Sequence, residues 1–362
     1  MKVSVFTQHK DGSLINSEGE TVFFGVERFL KEVCNGPNCF LCGSSPDDKT
    51  FNNEHIIPKW ILKKGKLFNS YITLPNKSEQ MYGKYTIRCC EECNSFLGDT
   101  LEKEIGKAVN GGIESLNQYV ETTEGYYKTF LWLALIYLKT HLKDQTIRFH
   151  QDARKGSETI GENLYDWELI HHIHCMIRAL KTGVEIDSKC FGSLIILPAH
   201  SPDNIVMFDY SDMYPNHTIM LRIDEIAFLA VLNDSGGCLG FLDNHTRNIS
   251  APLSVIQLKE MFSHISYLNN SFKNRPEYFT KYDPLNNKFT IDATLPEKPE
   301  IYEYDANKFG SILFFNTEQI LKDLLDSEMN SSEHLEAIKR GEVSFLFGED
   351  GKQLIGHLAL KE

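Results

Sequence analysis

Four cysteines carry the first chemistry legible in this chain. Cys39 and Cys42 form one Cys-x-x-Cys pair, and Cys90 and Cys93 form a second. Each pair lets two thiolates meet one ion across a tight turn, and two pairs complete the tetrahedron that zinc favours. The bland alternative is a set of buried free cysteines that share this spacing by chance. Cys89 adjoins Cys90 and leaves the register open, but only Cys90 gives the two-residue spacer to Cys93. Cys34, ahead of Cys39, is a further thiol within reach of the same turn. Between the pairs stands an acid–imidazole dipeptide, Glu54-His55, followed by Ile56-Ile57-Pro58, and Asn94 directly follows the last cysteine. Without the cysteines, Glu54-His55 would read as a surface pair at a strand end.

Strands and a helix must hold these residues. Phe51 to Pro58 reads as a short strand ended by proline, and Met81 to Arg88 as a second. Glu91 to Val109 reads as a helix with Glu91 and Glu92 at its positive end. Two strands and a helix around a zinc knuckle place Asn94, in the first helical turn, against the end of the Glu54-His55 strand. Side chains alternate along a strand, so Glu54 and His55 point to opposite faces. From Ile56 to Cys90 seven basic residues, among them Lys59, Lys63, Lys64, Lys66 and Arg88, accompany one acid, Glu79. That stripe is a candidate phosphate-binding surface, or simply a solvated lysine-rich loop.

Cys-x-x-Cys, then Glu54-His55-Ile56-Ile57-Pro58, then Cys-x-x-Cys-Asn94 resembles the HNH (ββα-metal) endonucleases. The resemblance is to the subgroup whose closing motif residue is Asn, which includes the phage junction-resolving endonucleases. It covers roughly residues 35–110. The resemblance implies an N-terminal zinc-stabilised ββα-metal domain, treble-clef-like, followed by a mixed α+β region. It gives Glu54 the place of the metal-binding Asp, His55 that of the general base, and Asn94 that of the second protein ligand to a catalytic ion. Cys39, Cys42, Cys90 and Cys93 match its structural zinc ligands. Glu54 is one methylene longer than the usual Asp, and Asn94 replaces a common His. A carboxylate with a neutral amide suits a hard ion such as magnesium or manganese. The usual central Asn has only Asn76 as a candidate here. The implied activity is phosphodiester hydrolysis, with DNA the expected substrate and RNA left open, and by analogy a role in phage defence.

Composition bounds the rest. The chain has 362 residues, 41% hydrophobic and 24% charged, enough for two or three domains. A net charge of −13 argues against non-specific coating of nucleic acid. Nine cysteines, an odd count, and no sustained apolar stretch after Met1 point to reduced thiols and a cytoplasmic protein. The most apolar run, Phe130 to Leu138, is far shorter than the ~20 residues needed to cross a bilayer. We expect a lead-in over 1–34, the nuclease-like domain over 35–112, an α+β domain over 113–275 and an α+β extension over 276–362.

Within these, Phe23 to Val33 reads as a short helix and Asn110-Gly111-Gly112 as a helix stop. Tyr126 to Leu142 reads as a buried helix. Asp166 to Leu180 reads as another, with His171, His172, His174 and Cys175 forming a core cluster. Asp99, Glu102 and Glu104 read as a solvated helix face, Glu102 being about 12 Å along the axis from Asn94. Strands are expected at Phe191–Leu197, Ile205–Tyr210, Thr218–Ile223, Ala227–Leu232, Cys238–Leu242 and Ser311–Phe315. Helices are expected at Leu253–Asn269 and Glu318–Leu325. Tyr278 to Pro299 reads as a loop, and Val343–Phe347 with Leu354–Leu360 as a hairpin. The C-terminal region is expected to serve substrate choice, homodimerisation or control. Two rivals remain: a non-catalytic zinc module binding nucleic acid or protein through its lysines, and a structural zinc knuckle on an α+β sensor.

Overall fold

The computed structural model describes residues 6–16, 18–202, 206–286, 288–323 and 332–355. It is mixed α+β, as expected, and divides into two compact units. The first comprises Met1–Cys190 with Tyr278–Ala293, the second Phe191–Glu277 with Thr294–Glu362. This division is coarser than the four segments read from sequence: residues 35–112 share one unit with 113–190. Among the described residues no helix is long and apolar enough to cross a membrane.

The first unit opens with a three-stranded antiparallel sheet, β1 (Thr7–Gln8), β2 (Leu14–Ile15) and β3 (Thr21–Phe23). The Asp11-Gly12 turn between β1 and β2 needs Gly12 at φ +84°. A single turn, α1 (Val26–Arg28), runs on as a π-helical turn to Cys34, where a short helix was expected. Next, β4 (Phe51–His55) leads through Pro58 into α2 (Lys59–Lys64). A small hairpin follows, β5 (Tyr71–Thr73) with β6 (Glu79–Met81). The partner of β4 is β7 (Thr86–Cys90), not a strand over Met81 to Arg88. Tyr82–Lys84 forms a 3₁₀ turn, which separates Met81 from β7.

From Cys90 the chain enters α3 (Glu91–Leu97), then a π-helical segment over Gly98–Glu102, then α4 (Lys103–Asn110). A continuous α-helix was expected here. The π segment widens the turn and changes the phase of everything after it. Helix α5 (Gly112–Val120) follows, then α6 (Thr123–Asp144), which starts where the Thr122 hydroxyl accepts from the Gly125 N–H at 3.0 Å. Every residue from Phe130 to Leu138 is buried, because α6 is covered by α5, the π segment, β7 and later helices. Each leucine, isoleucine or phenylalanine among them contributes about 1.5–3 kcal/mol by leaving water. Helices α7 (Ile160–Leu164) and α8 (Trp167–Thr182) complete the helical layer, and α8 stops at Gly183 with φ +69°.

A strand β8 (Glu185–Ile186) pairs in parallel with a later strand, described below. The second unit is built on an antiparallel sheet of β9 (Leu194–Pro198), β10 (Phe208–Met213), β11 (Thr218–Ile223) and β12 (Ile226–Val231), in the order β10-β11-β12-β9. Helices α9 (Gly237–Arg247) and α10 (Val255–Ser271) pack on it through Cys238, Leu242, Met261, Phe262 and Ile265. Thus Cys238–Leu242 is helical rather than a strand: Gly236 at φ +78° turns the chain, and the Asp234 carboxylate accepts from the Cys238 N–H at 2.8 Å.

The expected loop over 278–299 contains a hairpin, β13 (Glu277–Asp283) with β14 (Lys288–Thr294), and β14 is the partner of β8. Its polar, exposed faces hid it from a search for apolar alternation. Ser311–Phe315 belongs to α11 (Ala306–Asp323), not to a strand. Phe309, Leu313 and Leu321 fall on one helical face and pack with Ile338 of α12 (Ser332–Lys339). Of the terminal hairpin, the Phe347–Gln353 bridge and the Gly351 turn are present, while residues 356–360 lie outside the described residues.

Candidate metal centre and catalytic site

The β4–β7 ribbon organises both sites. Its register pairs Phe51 with Cys90 at one end and His55 with Thr86 at the other. At the Cys90 end, the thiol sulfurs of Cys39, Cys42, Cys90 and Cys93 all lie within 4.8 Å of one another. A tetrahedron with metal–sulfur bonds of about 2.3 Å has edges of about 3.8 Å. Cys42 and Cys90 are already 3.7 Å apart. All nine cysteines are free. Four soft, mutually close thiols fit one structural zinc. The Cys89 thiol approaches the Cys39 sulfur at 3.7 Å from outside this group of four. Thiol donors from Cys42, Cys89 and Cys93 surround Cys39 and pull its pKa down.

Helix α8 clamps the first knuckle. The two residues between Cys39 and Cys42 are Phe40 and Leu41. The Phe40 carbonyl accepts from His174 Nε2 at 2.8 Å, and the Leu41 carbonyl accepts from Arg178. His174 is buried, and burial keeps it neutral, with a pKa well below 6.5. His171 likewise meets a backbone carbonyl, that of Phe24, at 2.8 Å, and His172 stacks on Tyr278. These histidines are packing residues, as the sequence suggested.

Along the ribbon, Asn52 and Glu54 occupy one face of β4, Asn52 opposite Cys89 and Glu54 toward the His55 end. Asn94 donates from Nδ2 to Asn52 Oδ1 at 2.7 Å, which brings it one pleat from Glu54. Glu54 itself is 8% exposed and its Oε1 accepts from Lys139 Nζ at 2.8 Å. The same ammonium donates to the His55 carbonyl at 2.8 Å. Lys139 is wholly buried and also lies 3.9 Å from Glu102 Oε1. That oxygen is buried and has no hydrogen-bond partner. Burial pushes the Glu102 carboxyl up.

The His55 ring lies on the opposite face of the strand, half-buried, with the Phe68 ring edge-on at 6.1 Å. Burial lowers its pKa below 6.5, helped by the nearby Lys59 and Lys139 charges and opposed by Glu54 and a hydrogen bond to the Gly83 backbone. Its Nδ1 is buried without a partner. Lys59, Lys63, Lys66 and Arg88 are exposed, and Lys64 is partly so. Arg88 lies over the Phe51 ring at 5.4 Å. Helix α2, which carries three of these cations, Lys59, Lys63 and Lys64, is held by Trp60 stacking on Trp132 of α6.

The structure therefore gathers the four cysteines at one end of the ribbon, Glu54 and Asn94 on one face, and His55 on the other. Asn76 is elsewhere: its side chain caps its own turn at Ser78 and meets the Arg148 carbonyl. The sequence reading missed Lys139, Glu102 and Asn52 as neighbours of Glu54. Glu102 was set aside as a solvated helix face, and the π segment is what aims it inward. The only signal for Lys139 was a lone lysine directly after the apolar run of α6. No family model matches this chain, nor does any curated protein or solved structure.

Proposed function

We propose that this chain is a metal-dependent phosphodiesterase of the HNH kind, with a zinc-held frame and a second, harder ion at Glu54 and Asn94. One observation supports it above the others. The sulfur centre joins β7 to α3 so that Asn94 reaches the Glu54 face of β4, while a neutral imidazole with an unpartnered nitrogen stands on the other face.

Magnesium or manganese, when bound, would neutralise charge on the phosphorus and on the leaving sugar oxygen. Glu54 would offer Oε2 to that ion, since Lys139 engages Oε1 and also binds the His55 carbonyl. His55, its pKa lowered below 6.5 by burial, takes the proton from the attacking water. Lys59, Lys63, Lys64, Lys66 and Arg88 contact the phosphate backbone and position the strand. DNA is the proposed substrate, with RNA the alternative arm of the same assay.

The test is cleavage of single- and double-stranded DNA and RNA by the zinc-loaded chain with magnesium or manganese. His55→Ala should lower cleavage by roughly 10²–10⁴-fold. Cleavage unchanged by that substitution contradicts the mechanism. The neutralisation of Glu54 by Lys139 favours one second reading, a non-catalytic binding module. Retained nucleic-acid binding without cleavage by any ion would support it.

A further inference from the structure

Arg178 is a buried cation with no carboxylate. It is 2% exposed. Its guanidinium donates to the carbonyls of Val22, Leu41 and Thr21, and it lies over the Phe24 ring at 4.4 Å. All of these acceptors are neutral. Among the described residues no ion pair is formed by Arg178. Burial brings its pKa down to about 10, which still leaves it charged at neutral pH. Nearby Cys175 is pushed up to about 12 by burial and remains a neutral thiol. A buried unpaired charge is costly enough that its counter-charge must be close.

The nearest source is the sulfur centre. Arg178 binds the carbonyl of Leu41, the residue before Cys42, inside the first cysteine turn. Two further cations meet Glu92, the residue before Cys93. Lys49 and Lys181 approach from opposite parts of the chain, and both grip Glu92, at 2.7 and 2.5 Å. Lys49 and Lys181 thus share one carboxylate, while Arg178 pairs with none among the described residues. Four neutral thiols cannot balance them. Four thiolates around one divalent ion carry two negative charges, which can.

We propose that the four-sulfur centre is built to carry two negative charges, as four thiolates on one divalent ion do, and that Arg178 is its buried counter-ion. The inference rests on the sulfur centre alone and is independent of any cleavage activity. Arg178 acts here as a positioning and charge-compensating residue. His174, which holds the neighbouring Phe40 carbonyl without a charge, shares the positioning task but not the compensation.

The experiment is zinc competition on the full chain against a chromogenic chelator, with far-UV circular dichroism as the check on folding. Arg178→Met should weaken zinc binding by at least about tenfold, the order expected for losing one charge pair at an effective dielectric near 20. Arg178→Lys keeps the charge without the fork and should recover most of that loss. Wild-type affinity in Arg178→Met overturns the proposal. So does an Arg178→Lys protein as weak as Arg178→Met, since hydrogen-bond shape and not charge would then be at work. Should Arg178→Met fail to fold, cobalt(II) replaces zinc in the unaltered chain. Sulfur-to-cobalt absorption of a four-thiolate site supports the charge assignment, and that of three or fewer thiolates overturns it.

Discussion

The two ends of the β4–β7 ribbon treat charge in opposite ways. At the Cys90 end, Lys49 and Lys181 share Glu92 and the buried Arg178 meets only backbone carbonyls, so these cations are short of negative partners. At the His55 end, Glu54 and Glu102 share only Lys139, so that pocket is short of positive charge. The first end becomes balanced when thiols ionise onto a metal. The second end is nearly balanced already, by a lysine that the fold supplies, and retains one buried carboxylate oxygen without a donor. Similar acid-bearing motifs can therefore differ in how much of their charge the protein has met internally. That difference separates a site that needs its ion to hold together from one that can stand without it.

Removing Lys139 is the most forceful way to break the comparison. Lys139→Met leaves the Glu54 carboxylate buried and unpaired, and should cost about 3–5 kcal/mol in denaturant unfolding. Adding Glu54→Gln should return part of that loss, because the stranded charge is then gone. A Lys139→Met cost below about 1 kcal/mol, the range of an exposed pair, would mean that the His55 end is not internally balanced.

A milder probe is pH. The folded-state pKa of His55 lies below its ordinary 6.5, with burial the leading cause. Its neutral, proton-accepting form is therefore fully present above that value and is lost only as pH falls through the lowered one. The acid limb of the cleavage profile should accordingly lie below 6.5, and a bound cation would move it further the same way. A midpoint above neutrality would show that another group sets the limb. The smallest effect belongs to the exposed lysines of α2. Lys59→Ala and Lys63→Ala should each reduce the slope of log affinity against log salt by about 1, with little change in stability. An unchanged slope would remove them from the phosphate-binding surface.

Legibility in the sequence followed how local each signal was. The cysteine pairs, the Glu54-His55 strand and the helix after Cys93 could be read because ligand spacing and strand alternation act over a few residues. Asn94 was expected against the end of the Glu54-His55 strand, and it meets β4 at Asn52. Lys139 was not, because it meets Glu54 from 85 residues away on a helix that reads as plain core. Glu102 was misplaced because regular helix geometry does not anticipate the π segment at Gly98–Glu102. Arg178 carried no signal in the sequence, and only the fold shows that it binds the Leu41 carbonyl in the first cysteine turn and those of Thr21 and Val22. In the second unit, Cys238–Leu242 and Ser311–Phe315 were short apolar runs that fit strand and helix equally well. Their helices were decided by the cap at Asp234 and by packing against α12. Residues 278–294 erred the other way, since a polar composition concealed a hairpin completed by pairing with β8.

Elemental analysis of the purified full chain tests the central claim most directly. One zinc per chain is expected in the native protein, and none in Cys93→Ser. A native protein that carries no metal, yet keeps the β4–β7 ribbon and α3 together, would contradict the account.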